Sequence, residues 1–413
     1  MIQNETTVFI SDEIRQRWRV GEEQSLKKIL SCLPENWLSE TKTNLERKMR
    51  FGAEKAVKQH LIPYTVENGE WVARSIDWWT NGFWGAEMWQ MYLMSNDPFF
   101  RDAAIEAEEM MDAALKDFKT LHHDVGFMWL IMSGVRYAIE KNQDSFDRTF
   151  LCANLLAGRF NPNGFIRAWN WDSSGLSIID SMMNLPLLYW ASRQTDDPRF
   201  KLIAMQHADT AMKYFVREDG SCNHMVTFDP LTGEYVDNPG GQGYASGSSW
   251  SRGQSWALYG FTLSYIMTGK EEYLTTAIRV ANYFIACTQA NDWIPACDFR
   301  SPLGGELKDN AAGAVAVCGL IELVKLLPEY QTDAYVQAAV KMLVAMEKNC
   351  ADWSENQPAL LTMCTGSYHA DDHHIAMNYA DYYFIEAINK LLGQPMNFWM
   401  PDVTVDSDMD ESH

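Results

Sequence analysis

The sequence predicts an all-α fold, an (α/α)6 toroid of six inner and six outer helices. Two observations carry this. Apolar residues recur at three- and four-residue steps through most of the 413 residues, while strand-like alternation is scarce. A polar or aromatic loop also runs six times into a Gly- or Ala-containing apolar helix, and more highly charged amphipathic helices lie between, which makes an internal repeat. A helix apolar on nearly every side must be buried, whereas an amphipathic one can form a wall.

The elements follow in order. Residues 1–10 read as a loose N-terminal segment and residues 402–413 as an acidic tail, around a single domain over 11–401. Amphipathic helices open the domain at 13–33 and 41–61. The six apolar heads are Trp79-Thr-Asn-Gly-Phe-Trp84, His123-Asp-Val-Gly-Phe-Met128, Ile178-Ile-Asp-Ser-Met-Met183, Trp250-Ser-Arg-Gly-Gln-Ser-Trp256, Asp309-Asn-Ala-Ala-Gly-Ala314 and Met377-Asn-Tyr-Ala-Asp-Tyr-Tyr383. The charged helices between them cover 99–121, 144–157, 198–216, 271–289 and 332–348. In a toroid the inner helices start at a common mouth, so Trp79, Asp124, Asp180, Arg252 and Asp309 should surround one cleft. Three inserts, 160–175, 218–249 and 362–374, have the length of structureless binding loops or lids. They carry Trp169 and Trp171, His224 and Gln242, and His369 with Asp371-Asp-His-His374.

Composition narrows the function. The chain is 47% hydrophobic with 16 Trp, enough for a large core and for a cleft walled by flat rings. A net charge of -21 repels phosphate backbones and speaks against nucleic-acid binding. The eight Cys are scattered without a Cys-x-x-Cys pair and read as reduced thiols. With no signal peptide at Met1 and no run of about 18 apolar residues, the expectation is a soluble cytoplasmic protein without a membrane partner. The sequence leaves monomer and homodimer open.

The chemistry centres on Asp180. It heads an apolar run with Ser181 and Asn184 as its close polar neighbours, so burial should raise its pKa and suit it to donate a proton. A helix N-cap is the plain alternative. Asp124 offers a second carboxylate; two acids in one cleft split their pKa values, one protonated and one ionised. His122, His123 and Asp124 are metal-ligand types, but adjacent positions should diverge and the helical pair spacing is missing, so no metal is expected. Arg252 lies between Trp250 and Trp256, fit for a carboxylate among sugar-stacking rings or for a buried ion pair. No nucleophile elbow, phosphate loop or dinucleotide fingerprint occurs.

These heads, with the longer stretches Ile178-Ile-Asp-Ser-Met-Met-Asn-Leu-Pro-Leu187 and Ala380-Asp-Tyr-Tyr-Phe-Ile-Glu386, resemble glycoside hydrolase family 88, the unsaturated glucuronyl hydrolases, over residues 40–395. The resemblance implies a substrate made by a polysaccharide lyase, an oligosaccharide whose non-reducing uronic acid carries a C4=C5 double bond. It implies hydration of that bond without metal or organic cofactor, with Asp180 as the acid and Asp124 in support. His224, Gln242, Trp250, Arg252 and Trp256 match the family's substrate-binding set; Trp79, His123, Trp169 and His369 match its stacking and hydrogen-bonding positions. Where sulfate-preferring relatives are expected to carry Lys after Ser-Tyr-His, this chain reads Ser367-Tyr-His-Ala-Asp-Asp-His-His374, which implies a preference for unsulfated or lightly sulfated substrates. The rivals are a family 105 type hydrolase of pectin fragments and a non-catalytic or epimerase-like sugar-binding toroid.

Overall fold

The computed structural model describes residues 12–403. The loose segment expected at 1–10 and the tail from 404 onward lie outside these residues. Asp402, placed by the sequence reading in the tail, is instead anchored: Arg193 pairs with its carboxylate and Gln194 donates to it at 3.0 Å.

An amphipathic helix α1 (Asp12–Cys32) precedes the ring. Helices then alternate outer and inner. The outer ones are α2 (Trp37–Gln59), α4 (Pro98–Met110), α6 (Gln143–Ala157), α8 (Pro198–Tyr214), α10 (Glu271–Gln289) and α12 (Asp333–Cys350). The inner ones are α3 (Asn81–Ser95), α5 (Gly126–Gly134 continuing as Val135–Glu140), α7 (Ser181–Thr195), α9 (Ser251–Thr268), α11 (Asn310–Leu326) and α13 (Asn378–Leu391). Each inner helix packs on the next, and α13 returns to α3, which closes the toroid. Burial follows the expected division. Every residue of α11 and α13 is buried, whereas α10 buries Tyr273, Ala277, Val280, Ala281 and Phe284, one stripe at helical spacing. α1 lies across α11, α12 and α13 as a layer outside the ring.

Two features were not expected. Two of the three inserts are not structureless. β3 (Phe160–Asn161) pairs with β4 (Phe165–Ile166), and β5 (Leu176–Ile178), β6 (Met225–Phe228) and β7 (Tyr235–Asp237) form an antiparallel sheet; β1 (Thr65–Glu67) and β2 (Glu70–Val72) make a further hairpin. Such short strands leave no alternation to read. The second is the Gly126–Gly134 turn of α5, which is π-helical, a geometry frequent beside functional sites. Close approach explains two glycines at this turn: a Cβ on Gly126 would meet Asn184 Oδ1 at 2.6 Å, and one on Gly82 of α3 would meet the Met128 carbonyl at 2.2 Å.

All eight cysteines are free, six of them buried. No helix among the described residues is long and apolar enough to cross a membrane.

Candidate active site

The inner helices begin differently from several outer ones. Asp97, Asn142 and Asp197 cap α4, α6 and α8 with their side chains. At the heads of α3, α7, α9 and α13, residues Thr80, Asp180, Trp250 and Met377 make no such bond. Asp180 therefore occupies a cap position without capping. β5 delivers it to the mouth, and its carboxylate turns into a cleft lined also by Trp79, His123, Asp124, Trp169, Gln242 and Arg252.

Asp180 is 9% exposed, and its Oδ2 has no hydrogen-bond partner. Burial pushes its pKa up to about 7, against Arg252 and the Asp180 backbone N–H, which pull it down. Behind it stands His224, whose Nε2 lies 3.6 Å from Asp180 Oδ2 while its Nδ1 accepts the Gln242 backbone N–H at 2.9 Å. Burial, then Arg252, holds the His224 pKa down at about 3, so the ring is neutral. Asp124 is tied to the same helix: Asn184 of α7 donates to Asp124 Oδ1 at 3.1 Å and to the Asp180 carbonyl at 3.2 Å, and accepts the Phe127 N–H. The expected split, with one acid protonated and the other ionised, is not the direction found. Burial first, and Asp180 second, also raise Asp124 well above its ordinary value.

The remaining expected residues divide. Arg252 lines the cleft, but its charge is matched by Asp309 at 2.6 Å, and it donates to the Thr365 and Gly366 carbonyls at 2.7 Å each; only its Nε lacks a partner. Gln242 lines the cleft too, with its amide donating to the Gly366 carbonyl at 2.8 Å. Asp309 is fully buried behind Arg252. Trp250 and Trp256 do not line the cleft. Trp250 packs on His224 with ring centres 4.3 Å apart, and Trp256 packs in the core on Phe127 and Tyr383. An Arg flanked by two Trp looked like a sugar site, yet helical geometry turns Trp256 inward. His369 is exposed at the rim, its Nε2 2.7 Å from the Tyr244 carbonyl, and lies outside the cleft lining.

The sequence reading missed Tyr64, Trp78 and Tyr379, which also line the cleft. Tyr379 sits inside the sixth repeated head and was findable by position; Tyr64 lies in a connecting segment and gave no signal. The expectation that His122, His123 and Asp124 diverge does not hold. Their ligand atoms lie within 4.8 Å of one another, because the chain turns at residues 123–124, just before α5, and is neither helix nor strand there.

No family model matches the chain. An unsaturated glucuronyl hydrolase of Bacillus sp. (strain GL1) is 32% identical over 336 residues, 78% of this chain and 88% of that protein. The chain belongs to glycoside hydrolase family 88, the unsaturated glucuronyl hydrolases. An unsaturated chondroitin disaccharide hydrolase of Streptococcus pyogenes serotype M1 is 31% identical over 78% of this chain and 83% of its own length. The crystal structure of the Bacillus sp. GL1 enzyme superposes with a TM-score of 0.82 at 28% identity, covering 87% of this chain and 98% of that one. The toroid is thus the family's architecture, and the chain is a glycoside hydrolase of the unsaturated glucuronyl class.

Proposed function

We propose that the enzyme adds water across the C4=C5 bond of a non-reducing unsaturated uronate and so releases the neighbouring sugar, with Asp180 as proton donor. The observation that carries this reading is the Asp180 carboxyl, heading α7 without capping it, its Oδ2 unpartnered in the cleft and its pKa raised to about 7. An acid matched to neutral pH suits proton transfer to carbon. In the first step Asp180 gives its proton to C4, the C4=C5 π electrons form the new C–H bond, and positive charge develops at C5 and the ring oxygen. The ionised Asp180 then takes a proton from water as its oxygen bonds to C5. The resulting hemiketal opens to a ketone at C5, and the C1 hemiacetal expels the neighbouring sugar. Asp124 and Asn184 hold Asp180 in place, Trp79 and Trp169 offer faces to the sugar rings, and Arg252, which lines the cleft and keeps Nε unpartnered, is the donor we assign to the uronate carboxylate.

The substrate class rests on the relatives, one of which is named for chondroitin disaccharide. We place this chain's preference at unsulfated or lightly sulfated disaccharides. Asp372, from the 367–374 loop, lines the cleft with a buried Oδ1 that has no partner, and the Arg252 charge is already matched, so a sulfate would face a carboxylate. The test follows loss of the double-bond absorbance for an unsaturated chondroitin disaccharide with and without a 6-sulfate. The expected result is a higher kcat/KM on the unsulfated form. The reverse order defeats the preference, and no absorbance loss across several lyase products defeats the activity itself.

A further inference from the structure

We infer that His122, His123 and Asp124 form a binding site for a divalent cation of the zinc class inside the cleft, and that an ion there inhibits the enzyme. His122 Nδ1 and His123 Nε2 each lie 3.4 Å from Asp124 Oδ2. That is long for a hydrogen bond. For these two pairs it is, however, the edge of a coordination tetrahedron whose bonds are about 2.1 Å. Among the described residues, these are the His, Cys and acidic side chains whose ligand atoms, all within 4.8 Å, are close enough to share an ion.

Each ligand atom is aimed by what holds the rest of its side chain. Ser181 Oγ lies 2.9 Å from His123 Nδ1, which leaves Nε2 toward Asp124. Asn184 takes Asp124 Oδ1 and leaves Oδ2 facing both rings. His122 Nδ1 is buried and has no hydrogen-bond partner. Two imidazoles and one carboxylate suit zinc or cobalt better than magnesium or calcium. Arg159 opposes positive charge at His122, and Asp77 favours it.

The binding half of this inference stands on geometry alone; the inhibitory half rests on the proposed role of the cleft. An ion would occupy Asp124 Oδ2 and fill space in the cleft that Asp180 also lines.

Cobalt(II) titrated into chelator-treated protein tests binding, and zinc chloride added to the turnover assay tests inhibition. The expected result is equimolar visible absorption of a nitrogen and oxygen site, displaced by zinc, with turnover falling as zinc binds. His122→Ala, or His122→Gln if the alanine variant fails a thermal-melt check, should lose the absorption. It should also need at least about tenfold more zinc for half-inhibition of its own activity. A His373→Ala/His374→Ala variant in the rim loop should keep both responses. The site is overturned by absence of cobalt absorption, by absorption of thiolate type, or by responses that survive His122→Gln. Cobalt bound at this site without loss of turnover overturns the inhibitory half and leaves the hydrolase reading untouched.

Discussion

Asp180 performs under two opposed demands. A buried carboxyl is costly when ionised, and that cost is what keeps its proton available near neutral pH. Replacing it with Asn should lower turnover by about 10²- to 10⁴-fold, the usual worth of a general acid, with the fold retained. The kcat/KM of the wild type should fall as pH rises through about 7, because only the protonated acid starts the reaction. Stability follows the same group. A carboxyl whose value rises from 3.8 in the unfolded chain to about 7 in the folded one binds more protons when folded. Its contribution is therefore present in acid and lost as pH rises through about 7. Asp180→Asn removes that loss, so thermal melts should show the variant gaining stability over wild type mainly on the alkaline side. A gain of equal size at acid and alkaline pH would contradict the assignment. This residue was legible in the sequence because an acid at the head of an apolar run is conspicuous. Whether it capped the helix was not legible, since cap and catalyst occupy the same position and differ only in where the carboxylate turns.

At the scale of elements, the mouth is held together by pairs that reach between helix heads. Arg252 of α9 spans to Asp309, before α11, and to the carbonyls of residues 365 and 366. Arg252→Met strands the buried Asp309 carboxylate and should cost about 3–5 kcal/mol in denaturant unfolding. Activity loss in that variant must accordingly be read beside its stability. Trp169 and Trp256 separate lining from packing. Trp169→Ala should raise KM, while Trp256→Phe should leave KM unchanged and lower the melting temperature, since Trp256 packs on Phe127 and Tyr383 away from the cleft. The Trp250 to Trp256 stretch shows why sequence misassigned it. Residue types named a sugar site, but the direction of each side chain depends on how α9 is rotated against α5 and α13. The convergence of His122 with Asp124 was hidden for a similar reason, because it depends on a turn that no spacing rule describes.

The whole molecule was the most legible scale. Six repetitions of an apolar head and an amphipathic partner leave few closed arrangements, and the ring that forms is the one the repeat implies. The short strands within the inserts escaped because two to four residues carry no period. Charge also acts at this scale. A chain of net charge -21 repels an anionic disaccharide before it reaches the cleft. Screening should therefore raise kcat/KM as ionic strength increases from low to physiological values. A steep fall over that range would instead mean that unmatched cations attract the substrate.

In the proposed mechanism the double bond, rather than the glycosidic bond, is attacked first. Parallel time courses of double-bond absorbance and of released sugar, from the first turnovers onward, test it most directly. Absorbance should be lost no later than sugar appears, and Asp180→Asn should slow both by the same factor of about 10²- to 10⁴-fold. Sugar released ahead of the absorbance change would contradict it.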